Sequence, residues 1–269
     1  MSAFNNDYGV SETLGYILIF GIVLTGIAGI VLFGTALLDD AKDRNNFQNV
    51  EQGLTVVHSD LKRVAIEKAP VKTSKLHVEG GSLATNFSSS SFKVEINGAP
   101  QPLVYDEKIG SISYYSNTGS KTLSIENGGL WKSYDGDLMV IAPRIFASAP
   151  NKALVINVIR LTGEDSSMAG VGTTNLIMEY AENHVDTHLV DGHQVTITIE
   201  TAYPNAWGRF FEESVGHEVG AGAGSAIGGF PLDGPPDING NKVTVTINDV
   251  DQIILSEHVI NIRHFIMTT

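Results

Sequence analysis

No cysteine occurs among the 269 residues. That absence excludes a disulfide framework, a thiolate metal site and a cysteine nucleophile together. It leaves the compartment open, since an exported chain can stand on its hydrophobic core alone. Charge is also scarce: charged residues make up 17%, with 17 Lys plus Arg against 30 Asp plus Glu and a formal net charge of −13. A phosphate backbone needs a basic face, so nucleic acid is not an expected partner. The negative balance suits a soluble surface and mild repulsion between neighbours. Low charge together with 28 glycines fits a β-rich, turn-rich body better than a helical bundle. No internal repeat has a credible period, and the length allows one large domain or two modest ones.

What the chain does have in quantity is an apolar start. No charged residue occurs from Thr13 to Leu38, about 26 positions where about 20 suffice to span a bilayer as a helix. The run is too long for the apolar core of a secretory signal, and no small-x-small cleavage site closes it. The competing reading is a buried core helix of a soluble protein. Gly15, Gly21, Gly26, Gly29 and Gly34 are scattered along the run with Thr25 and Ala28. Small residues let apolar helices approach closely, where dispersion replaces the missing hydrophobic drive. Glycine lowers helix propensity, so its repetition here points to packing or to local unwinding.

The helical pattern outlasts the apolar run. After Asp39, Asp40 and Asp43 come Phe47, Val50, Leu54, Val57, Leu61 and Val64, alternately three and four positions apart, as on one face of a helix. Pro70 is the latest point such a helix can reach. The expectation is one long helix over residues 10–69, apolar all round over 13–38 and amphipathic afterwards. The seam itself requires only that the helix pack on a sheet.

From residue 70 to 269 the pattern changes to short alternating runs. Leu76–Val78, Phe92–Ile96, Ile112–Tyr115, Thr122–Ile125, Asp137–Ile141, Ala153–Leu161, Leu176–Tyr180, Gln194–Ala202, Lys242–Ile247 and Val259–Met267 read as strands. Asn97-Gly98, Asn127-Gly128 and Asp191-Gly192 are turn dipeptides. Strand after strand without a helix between predicts an antiparallel, sandwich-like head, so the fold class is α+β. A short helix is expected over Asn205–Val215, with Trp207, Phe210 and Phe211 as core anchors. The glycine-rich stretch from Gly216 to Gly240 lacks the Gly-Lys-Ser/Thr of a phosphate loop and reads as a surface or subunit-contact loop. A split of the head near residue 150 stays open.

Just before the apolar run stands Tyr8-Gly9-Val10-Ser11-Glu12-Thr13-Leu14-Gly15. This resembles the N-terminus of archaeal type IV pilins, in which a short leader ends in a small residue and a glutamate opens the apolar helix. Gly128–Tyr134, Leu138–Val140, Ala153–Asn157 and Thr201–Phe211 look like the head of the same group. The resemblance implies a leader over residues 1–9, cut by a prepilin peptidase between Gly9 and Val10, with Glu12 then third in the mature chain. One difference from the pattern is plain: no Lys or Arg precedes Gly9, and Asp7 stands there instead. A carboxylate at the mouth of an apolar helix is costly to desolvate unless paired. Glu12 would find that pair in the new α-amino group of a neighbouring subunit's Val10. Alternatively it is an ordinary first-turn acid with Ser11 as N-cap.

Chemistry-bearing patterns are few. His184, Asp186, His188, Asp191 and His193 form the one group worth testing as a metal site, since on a strand the first three share a face. A polar strand edge near a hairpin explains the same residues. No Gly-x-Ser-x-Gly elbow occurs, and no placed nucleophile or base emerges, so the expectation is a chain that is not an enzyme and carries no cofactor or metal. Asn86-Phe87-Ser88 is the single sequon, a candidate glycosylation site. The resemblance implies a self-polymerising subunit of a cell-surface filament. It would be membrane-anchored by one helix before assembly and would have the prepilin peptidase and pilus assembly machinery as partners. The alternative is a non-polymerising single-pass surface protein, or a minor pilin acting as an adhesin.

Overall fold

The computed structural model describes residues 7–99, 101–148, 151–190, 193–215 and 230–267. The chain divides into two compact units, Met1–Asn45 and Asn46–Thr269. The fold is α+β, with an N-terminal helix and sheets rich in antiparallel pairs. Helix α1 spans Asp7–Ala65 and contributes to both units. It stops five residues short of Pro70, whose ring and missing N–H do not suit a helix interior.

In the second unit the chain runs through β1 (Val71–Asn86), β2 (Ser91–Ile96), β3 (Leu103–Lys108), β4 (Ser111–Tyr115) and β5 (Thr122–Glu126). Then follow β6 (Gly129–Ser133), β7 (Asp137–Ile141), β8 (Ile145–Ser148), β9 (Ala153–Gly163), β10 (Ser166–Leu189) and β11 (Val195–Glu200). Helix α2 (Pro204–Phe210) continues into one π turn, Phe211–Val215, before β12 (Asp237–Asn239), β13 (Lys242–Ile247) and β14 (Gln252–Met267). Among the described residues these strands make a nine-stranded sheet in the order β7-β6-β5-β4-β1-β10-β14-β9-β8 and a five-stranded sheet in the order β12-β13-β11-β2-β3.

Most expected strands recur, and two points need correction. The run Leu176–Tyr180 is only the middle of β10, a 24-residue strand whose polar second half pairs with β14 from Glu182 to Leu189. Nor is the head wholly antiparallel: β14 runs parallel to β9 over Gln252–Ile262. Parallel neighbours need a crossover. Here the crossover is everything between the two strands, including the whole of β10 and β11, which sequence patterning does not register. Residues 191 and 192, and 216–229 of the expected glycine-rich loop, lie outside the described residues.

The nine-stranded sheet rolls. Its two edge strands, β7 and β8, are neighbours in sequence, separated by residues 142–144. A chain advances at most about 3.3–3.6 Å per residue, so the two edges stand within about 14 Å of each other. The free second half of β9 is met by the far side of the roll. Its Ile159 amide donates to Asn127 Oδ1 at 2.9 Å, and its Leu161 amide donates to Ile109 O at 2.9 Å. The Asn127-Gly128 turn makes that approach possible. Both residues have positive φ, +47° and +65°, as a two-residue hairpin loop with the native twist demands.

Two hydrophobic cores result. In one, Phe47, Val50, Leu54, Val57, Leu61, Val64 and Ala65 of α1 pack against β1, β4, β5, β6, β9, β10 and β14. The expected seam is therefore buried, and each such side chain contributes roughly 1.5–3 kcal/mol. Gly53 lies beside the seam because a Cβ there would fall 2.3 Å from Leu76 Cδ1. Asn46 fixes the register: its Nδ2 donates to Gly80 O at 3.3 Å and to the Tyr114 hydroxyl at 3.1 Å, and its Oδ1 accepts from the Glu79 amide at 3.3 Å. These groups sit where β1 is irregular between Glu79 and Ser82. The other core lies between the sheets. There Phe92, Val94, Ile197 and Val245 meet Leu154, Ile156, Ile253, Leu255 and Trp131, with Trp207, Phe210 and Phe211 closing one side.

Candidate functional site

The residues expected to carry assembly belong to the first unit. Thr13–Phe33 is 21 residues long with none of it buried, which at 1.5 Å per residue is about 31 Å, against a hydrocarbon core of about 30 Å. Leu14, Ile17, Phe20, Ile27, Leu32 and Phe33 are all exposed. By length and composition the segment is a candidate membrane anchor or signal sequence. Within this chain, a Cβ built at Gly15, Gly21, Gly26 or Gly29 would meet nothing within 4 Å. The one hydroxyl in the middle of the run is satisfied locally, Thr25 Oγ1 donating to Gly21 O at 2.8 Å, as an apolar environment requires. The surroundings of Gly9, Val10, Glu12 and Gly34, and residues 1–6 of the expected leader, lie outside the described residues.

The polar group around His184 comes together only in part. His184 Nε2 lies 2.8 Å from Asp186 Oδ2, on the same face of β10 as His188. The His188 Nε2 is buried with no hydrogen-bond partner among the described residues. His193 is elsewhere, its amide bonded to Val190 O at 3.0 Å, and Asp191 is outside the described residues. Among the described residues no three His, Asp or Glu side chains are grouped to hold a metal ion. His184 and Asp186 instead line a cleft of about 370 Å³ with Tyr105, Glu107 and Glu257. At its floor Glu257 Oε1 accepts from the Tyr105 hydroxyl and from Arg160 Nε, each at 2.7 Å. Burial, and then the hydrogen bond to Glu257, push the Tyr105 phenol well above its ordinary range. Through Glu257 the phenol thus ties β3 to β14.

Asn86 is exposed at the end of β1, and its Oδ1 accepts from the Ser88 amide at 2.9 Å. Phe87 between them is pinned by its amide bond to Asp165 Oδ1 at 2.9 Å.

Sequence reasoning missed one buried group. Glu126, at the end of β5, is 1% exposed. Its carboxylate accepts from Ser90 Oγ at 2.5 Å and from Trp207 Nε1 at 2.9 Å. Trp131, stacked on Trp207 with ring centroids 4.4 Å apart, donates to the Glu126 carbonyl at 3.1 Å. Burial pushes the Glu126 carboxyl up, while hydrogen bonds from Ser90, Thr201 and Trp207 oppose the shift. The arrangement latches α2 onto the β5–β6 hairpin. Only the rarity of tryptophan, two in the chain, hinted at a special contact.

A family description matches residues 9–251, taking in the apolar helix and every strand before β14. The chain belongs to DUF7289. That family is one of unknown function. The DUF7289 chain is also similar to an uncharacterized protein of Archaeoglobus fulgidus, 23% identical over 256 residues, covering 76% of this chain and 83% of that one. No solved structure matches it.

Proposed function

We propose that this chain is the structural subunit of an archaeal type IV pilus-like surface filament, polymerising through its N-terminal apolar helix and displaying a sandwich-like β head. The observation that carries the reading is the helix from Thr13 to Phe33, apolar on every side and with none of it buried among the described residues. Such a surface needs lipid or other helices around it, and Gly15, Gly21, Gly26 and Gly29, whose Cβ positions meet nothing among the described residues, suit close approach of like helices. The Ser11-Glu12 start supports the same reading. Before assembly the helix holds the chain in the membrane; afterwards copies of itself replace the lipid. The head has a structural role, with Glu126 and Glu257 committed to internal hydrogen bonds rather than to catalysis.

Mass spectrometry of the N-terminal peptide from native cells tests this reading. A chain beginning at Val10 supports prepilin-type processing. A chain that still carries Tyr8-Gly9 removes the pilin route and leaves a single-pass surface anchor.

A further inference from the structure

At the C-terminal end of the buried helical seam lies a cavity of about 110 Å³, lined by His58, Lys62, Gly128, Ile141, Arg144 and Ile159 among others. Its lining is unusual for this molecule. The chain carries a net charge of −13 and only 17 Lys plus Arg, yet two of these and a histidine share one small cavity. No carboxylate among the described residues lines it. They come from separate places: His58 and Lys62 from α1, and Arg144 from the short crossing between β7 and β8 that the rolled sheet brings over the helix. Arg144 Nε is buried with no hydrogen-bond partner among the described residues. An unpaired buried guanidinium nitrogen is costly, and the cost is recovered when an acceptor meets it.

The remaining geometry narrows the acceptor. His58 Nε2 lies 2.9 Å from Gly128 O. A carbonyl only accepts, so Nε2 carries the hydrogen and Nδ1 is the nitrogen that titrates. Burial lowers the basicity of His58, and Lys62 lowers it further. His258 is likewise lowered by burial, then by Lys68, with Arg144 also contributing. A water molecule needs about 30 Å³ of liquid volume, so the cavity has room for something larger than one water. Arginine's planar fork suits two oxygens of a single anion.

We infer that this cavity binds a tetrahedral oxyanion, phosphate or sulfate, with Arg144 and Lys62 as the charged ligands and His58 beside them. The site is independent of the filament reading. A bound anion would tie the end of α1 to the β7–β8 crossing and the β5–β6 turn, closing the roll.

The test uses the full chain in detergent, with sodium phosphate and sodium sulfate titrated separately against sodium chloride at matched ionic strength. Thermal unfolding and the imidazole NMR resonances of His58 are followed together. One or both oxyanions should raise the midpoint saturably, as expected for a ligand of the folded state, and shift the His58 resonances over the same concentrations. Loss of one charge-assisted hydrogen bond should weaken affinity by about tenfold or more in Lys62→Gln and in Arg144→Gln. Should Arg144→Gln fail to fold, Lys62→Gln, at an exposed position, decides alone. The proposal is overturned if both oxyanions act only as chloride does. It is equally overturned if the oxyanion response is unchanged in Lys62→Gln.

Discussion

Gly53 sets two physical effects against each other. By propensity alone, Gly53→Ala in the middle of α1 should stabilise the helix by about 1 kcal/mol. Packing says the opposite. The new Cβ would stand 2.3 Å from Leu76 Cδ1, more than 1 Å inside ordinary contact. Leu76 is 1% exposed and enclosed by the helix-facing core, so its methyl cannot swing into solvent. Overpacking of this kind costs about 1–3 kcal/mol. The net expectation is a loss of up to about 2 kcal/mol. Leu76→Ala alone should cost about 2–5 kcal/mol through the cavity it leaves. In the double variant the added methyl fills part of that cavity, so the two effects should couple favourably by about 1 kcal/mol or more. Gly21→Ala is the control, since nothing lies within 4 Å of its Cβ position in this chain. Urea unfolding of the detergent-solubilised chain, followed by tryptophan fluorescence, reports on these differences because Trp131 and Trp207 are both buried. If Gly53→Ala is more stable than the parent by the full propensity gain, and the cycle is additive, then α1 does not press on β1 as described.

Three further outcomes are expected. Burial raises the Glu126 carboxyl above its ordinary value of 4.5, so the stability linked to its proton is fully present below about pH 4.5 and is lost as pH rises through the folded value. Glu126→Gln should flatten that decline, which has a limiting slope of about 1.4 kcal/mol per pH unit; parallel urea-midpoint profiles from pH 4 to 8 would show that the carboxyl titrates alike in both states. Asn46→Ala strips the Glu79 amide and one donor to Gly80 O, and should cost about 1–3 kcal/mol in the same unfolding assay; a change near zero would mean that water serves those groups equally well. Gly26→Ile with Gly29→Ile should leave the isolated chain folded, since a Cβ at either position meets nothing among the described residues, yet on the proposed filament reading should abolish sheared filaments in electron micrographs. Intact filaments would exclude close helix packing at these residues.

Local patterns carried the sequence reading where one residue's neighbours in sequence are also its neighbours in space. The seam from Phe47 to Val64 was legible because a helix repeats every 3.6 residues, so burial on one side must appear as that spacing. The hairpin at Asn127-Gly128 was legible because a two-residue turn demands positive φ. Strands with clean alternation, such as Lys242–Ile247, stood out for the same kind of reason. The short β8 and the charged β3 carry too little alternation to register, and β10 was truncated because its second half is polar.

The sequence by itself determined an apolar helix, an amphipathic continuation, a β-rich remainder and the residue types that exclude thiol chemistry. Only the tertiary structure decided what depends on pairing between distant segments: the parallel match of β14 to β9, the roll that brings β7 and β8 together, the burial of Glu126 against Trp207, and the meeting of His58, Lys62 and Arg144 around one cavity. Apart from β7 and β8, which are adjacent in sequence, each of these joins side chains scores of residues apart. Their proximity is set by which strands pair and how the sheet curves, and no periodicity within one segment encodes that.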